Sequence, residues 1–207
     1  MSLESIYGPF AVVFAKGELD VPGHLPLLSC ARPNCQIVID RIENVLRGGD
    51  SARWVAALFE DRNWRPHLVG AIALLLDPSL APELLWGAID RSSWVIPQLV
   101  VTATFVDPMF REHARSRVAA SCLVEPLSGA TNQRGPSPKM LASLLAASVE
   151  FPDLAQWRAT VLQDEHAKNM LAEDAAWDSS DKIVARWSAA VRSTFLVRGR
   201  TLTVMVR

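Results

Sequence analysis

Two stretches thirty residues apart constrain this chain more than anything else in it. "NWRPHLVGAIALLLDP" (63–78) lies over "SWVIPQLVVTATFVDP" (93–108). Comparing 54–81 with 84–111 gives four identities, Trp64/Trp94, Ala73/Ala103, Asp77/Asp107 and Pro78/Pro108. Between them the apolar phase also agrees, at Phe59/Ile89, Val69/Leu99, Leu75/Phe105, Leu76/Val106 and Leu80/Phe110. Matching turns and matching buried phase are what stacked helix pairs require, because each pair buries its apolar face only on its neighbour.

The rest of the chain is divided by its helix signals. Residues 1–34 carry Pro and Gly breakers and read as an irregular segment with room for a short strand at 10–15. From Cys35 to Cys122 the helical period holds. Gly48-Gly49 stops one helix, and Asp50 is placed to cap the next, "SARWVAALFE". Pro66 and Pro97 fall in first turns, where a missing N–H costs little. Asp77-Pro78 and Asp107-Pro108 are expected to open helices directly, and Ser92 or Ser93 to cap the one between. Residues 123–137 read as a polar loop. Helices resume over 138–194, with Pro152-Asp153 opening one through Met170 and Ser179-Ser180 another. The tail, 195–207, alternates β-branched residues and is expected to form a small β element with the N-terminal segment.

The spans Asp50…Leu58…Asp61…Arg65…Ala71, Asp77-Pro78…Leu84…Asp90…Ala103 and Asp107-Pro108…Ala114 resemble short bacterial HEAT-like repeats of the phycobilin-lyase type. The resemblance covers about residues 36–122. The second unit departs from it, having Trp94-Val95 where the pattern has Arg. It implies an all-α fold, an α-solenoid of HEAT-like helix pairs coiled as a right-handed superhelix, within a single domain over 1–207. It implies no activity.

Composition excludes more than it proposes. With 21 Lys and Arg against 22 Asp and Glu, the net charge is −1, which creates no field to steer a polyanion. Cys30, Cys35 and Cys122 are too few for a disulfide framework, and only His24 lies near the first two, so neither a zinc set nor a staple emerges. No apolar run reaches membrane-spanning length and the start lacks a basic leader, so the expected location is cytoplasmic. Neither a nucleophile elbow nor a Gly-rich phosphate loop occurs, and the residues nominate no catalytic set, metal or cofactor.

The surface offers a few candidates. Arg111 and Arg115 sit four apart on one helix, where stacked pairs would turn a concave face. Trp86 lies on the polar side of its helix with Glu83 and Asp90. It is either an exposed anchor or covered by the N-terminal segment or by the loop after 124. Together with Arg53 these residues make a face of mixed charge, which favours a protein partner over nucleic acid. The expectation is a non-catalytic repeat protein that binds another protein, of the type an immunity or adaptor protein would be. Two alternatives stand beside it. One is a nucleic-acid enzyme of the HEAT-like glycosylase kind, using Trp86, Asp90, Arg111 and Arg115. The other is a HEAT-like metal hydroxylase using Glu112/His113 and Glu165/His166.

Overall fold

The computed structural model describes residues 2–17, 19–30, 33–122 and 137–205. Its elements are α1 (Leu3–Tyr7), α2 (Ala11–Phe14), α3 (Pro33–Arg47), α4 (Ser51–Glu60), α5 (Trp64–Leu76), α6 (Glu83–Asp90) and α7 (Ile96–Val106). After them come α8 (Phe110–Cys122), α9 (Pro138–Ala147), α10 (Ala155–Val161), α11 (Glu165–Trp177) and α12 (Ser180–Val197). Short 3₁₀ turns supplement these, among them Pro26–Leu28 and Pro152–Leu154. The described residues are all-helical and contain no strand.

Local chemistry explains the starts. Asn63 accepts the Arg65 N–H at 3.1 Å to cap α5, and Ser137 accepts that of Met140 at 3.2 Å ahead of Pro138 in α9. Asp164 accepts the Ala167 N–H at 2.8 Å to cap α11. Each satisfies an N–H that the first helical turn leaves unpaired.

Every residue of α5 from Pro66 to Leu76 and every residue of α7 is buried. A helix apolar all round belongs inside a larger body, and these two pack against each other at the centre. The α3 and α4 helices flank α5, while α6 bridges α4 and α7. On the other side α9 lies against α7, α11 against α9, and α12 across both α7 and α9.

The structure corrects several expectations. Asp77 does not open a helix. Its Oδ1 accepts the N–H and hydroxyl of Ser79, at 3.1 and 2.5 Å, in a turn that delays α6 to Glu83. Asp50 makes no capping bond but pairs with Arg53 at 2.9 Å. Neither Ser92 nor Ser93 caps α7 through its side chain. The expected helix after Pro152 is two, broken at 162–164 where Asp164 begins a new cap. In place of the β tail, α12 runs on through Val197. Residues 200–205 follow without regular structure, and the Met205 N–H donates to the Thr104 carbonyl at 3.0 Å. The proposed strand at 10–15 is largely helical. Of the polar loop at 123–137, all but Ser137 lies outside the described residues.

Candidate functional site

Trp86 is buried, 3% exposed, and the cover comes from α8. Asp107, at the end of α7, is itself buried, and its Oδ2 receives the Trp86 indole N–H and the His113 Nδ1, each at 2.7 Å. Its Oδ1 takes the Met109 N–H at 2.8 Å. A buried carboxylate persists only with such donors around it. The guanidinium of Arg117 lies 4.2 Å from the Trp86 ring centroid and grips both oxygens of Asp90 at 2.7 Å. Trp86 and Asp90 are thus brought together, but through Arg117, which the sequence reading passed over.

The other expected residues disperse. Arg111 turns to Asp153 at 3.2 Å and lies over Phe151. Arg53 stays on α4 beside Asp50 and over Trp54. Glu83 and Arg115 are exposed. His113 serves Asp107 rather than Glu112. Among the described residues, no group of three or more His, Cys, Asp or Glu could hold a metal ion.

A different set of side chains converges on a cleft of about 400 Å³ between the start of α7, the start of α9 and the end of α11. Trp94 and Trp177 line it at 56% and 85% exposure. The Trp94 ring packs against that of Trp64, with ring centroids 4.9 Å apart. Lys139 sits 5.6 Å from the Trp94 ring centroid and pairs with Asp178 at 3.0 Å. Asp174 below them is committed, accepting the Ser180 N–H and hydroxyl at 2.8 and 2.6 Å.

Ser93 closes the floor. Its Oγ is 2.7 Å from His67 Nδ1, and His67 Nε2 is 2.8 Å from the Asp61 carbonyl. A carbonyl only accepts, so Nε2 carries the hydrogen and Nδ1 receives the Ser93 O–H. Burial lowers the His67 pKa and keeps the ring neutral. The neighbouring Ser92 adopts φ 61°, a left-handed conformation that costs energy in a non-glycine residue. Together they fix the turn that carries Trp94.

A larger cavity, about 560 Å³, runs between α7, α9 and α12 over Val101, Ala146 and Ala185. Its rim carries the Glu150–Arg192 pair, at 3.0 Å, together with Asp181, and among the described residues no aromatic side chain lines it. The Trp94–Trp177 cleft is therefore the better recognition site, with exposed aromatic anchors and polar groups on one rim.

Sequence reasoning missed this cleft. One signal was available: Trp177 stands at a helix end between Asp174 and Asp178, outside any apolar stripe. None of the described helices is long and apolar enough to cross a membrane. Comparison with protein-family models, with curated proteins and with solved structures finds no match for the chain.

Proposed function

We propose that this chain is a non-catalytic helical repeat protein of the HEAT-like kind that binds another protein. The recognition site in this reading is the cleft between Trp94 and Trp177. The observation that carries it is the exposure of two indoles lining one cleft. Large aromatic anchors left in water at a preformed cleft supply binding energy when a partner desolvates them. The solenoid reading is supported by α5, α7 and α9 lying side by side, with α4 and α6 in contact as an outer layer. The α4–α5 and α6–α7 pairs pack on each other through α4 against α6 and α5 against α7, the arrangement expected of stacked repeats.

The mixed charge around the cleft, with Lys139 and Asp178 paired, suits a protein surface better than a polyanion. The glycosylase alternative loses its aromatic group, because Trp86 lies beneath Arg117 and cannot stack on a base. The test uses tagged protein as bait in lysate of its source, with Trp94→Ala/Trp177→Ala and Arg115→Glu variants alongside. A stoichiometric partner retained by wild type and Arg115→Glu, but lost by the double Trp variant, supports the cleft. Loss with Arg115→Glu instead moves recognition to α8. Salt-dependent binding to duplex DNA would overturn the protein-binding reading.

A further inference from the structure

We propose that Cys30 and Cys35 are a disulfide-forming pair that joins the N-terminal arm covalently to the start of α3. Their sulfurs lie 3.1 Å apart, and both side chains are completely buried. Nothing among the described residues offers them a metal site. This apposition is imposed by separate anchors rather than by the short chain between them. On the arm, the Trp187 indole N–H donates to the Leu27 carbonyl at 3.0 Å, and the Thr194 hydroxyl to the Cys30 carbonyl at 2.8 Å. On α3, the Gln36 amide donates to the Thr194 carbonyl at 3.2 Å. The α12 helix therefore positions both halves of the pair. Cys30 itself is held at φ 49°, a left-handed conformation that only surrounding structure sustains in a non-glycine residue.

The two thiols are not equivalent. Either S–H can donate across the 3.1 Å contact; when Cys30 ionises, donation from Cys35 lowers the Cys30 pKa, and that contact together with burial raises Cys35. Cys30 is then the attacking thiolate. The oxidant is a small-molecule disulfide of the glutathione class. Cys30 attacks one of its sulfurs, forming a mixed disulfide and releasing the first thiol. Cys35 next attacks the Cys30 sulfur and releases the second, and the two protons lost by the cysteines are carried on the two released thiols. The protein dithiol is oxidised by two electrons, and the external disulfide is reduced to two thiols. Because both sulfurs are buried, exchange requires the 19–30 arm to open locally, and closure afterwards shields the bond from reductant.

The experiment uses the full chain, which has three cysteines. Protein equilibrated with oxidised glutathione in sub-denaturing urea is transferred to strong denaturant, alkylated with N-ethylmaleimide and weighed. The expected product carries one adduct, at Cys122, and a bond between the peptides containing Cys30 and Cys35, with the intact protein lighter by two hydrogens. Dithiothreitol-treated protein should carry three adducts. In Cys35→Ser, Cys30 should stop at the glutathione mixed disulfide. Three adducts on the oxidised wild type, or a glutathione adduct that persists on Cys30 or Cys35, would overturn the proposal. A second readout is thermal. Oxidised protein should melt a few degrees above reduced protein, and Cys30→Ala/Cys35→Ala should lose that difference. An unchanged difference in the double variant would equally overturn it.

Discussion

The Trp86 indole N–H donates to Asp107 Oδ2 at 2.7 Å, joining the middle of α6 to the turn that ends α7. Asp107 aligns in the sequence with Asp77, thirty residues before it, whose carboxylate holds only the Ser79 turn. One motif thus serves a local turn in one copy and a buried junction in the next. Arg117 closes that junction over the indole, which makes it a structural centre.

Trp86→Phe should test the junction. It keeps most of the ring but deletes a donor to a buried carboxylate, an exchange that costs about 1–3 kcal/mol. Urea unfolding should report a loss in that range with an unchanged slope. Equality with wild type would show that the bond contributes nothing net.

The two cleft tryptophans should separate in stability measurements. Trp177→Ala removes an almost fully exposed side chain and should stay within about 0.5 kcal/mol of wild type. Trp94→Ala also breaks the contact with Trp64 and should cost about 0.5–1.5 kcal/mol. Both should impair partner capture, so a binding defect in Trp177→Ala cannot be blamed on unfolding.

Gly70→Ala sets helix propensity against packing. Alanine favours a helix over glycine by about 1 kcal/mol. At this position, however, a Cβ would come within 2.8 Å of the ring of Phe59, which is buried and unable to withdraw. Packing should win, with a net destabilisation of about 1–3 kcal/mol measured in urea. A stabilised variant would mean that Phe59 can move after all.

Acid should weaken the fold through His67. Burial lowers its folded pKa below the unfolded value of 6.5, so the unfolded chain binds the proton more readily. The contribution is complete above about pH 6.5 and is lost as the pH falls below it. His24, also lowered by burial, acts with the same sign. His67→Gln should flatten, without abolishing, the decline in stability between about pH 6.5 and 5. An undiminished decline would place the acid sensitivity elsewhere.

The helical class, the approximate extent of most helices between 35 and 122, and the correspondence of Trp64 with Trp94 are legible in the chain itself. Those features depend on residues close together in the chain, through periodicity, proline placement and side-chain caps. The rings of those two tryptophans, thirty residues apart in the chain, meet with centroids 4.9 Å apart. Tertiary structure decided the fate of Trp86, whose helix looked half-polar but whose far side receives Phe110, His113 and Arg117 from α8. It also turned Phe195–Val197 into the last turn of α12. Local propensity favoured a strand there, yet Phe195 is buried on the helix face already carrying Trp187 and Val191. The cleft required both effects. Trp94 stands at the start of α7, whereas Lys139, Trp177 and Asp178 come from helices whose positions follow from the packing of α9 and α11, so no spacing along the chain shows them meeting.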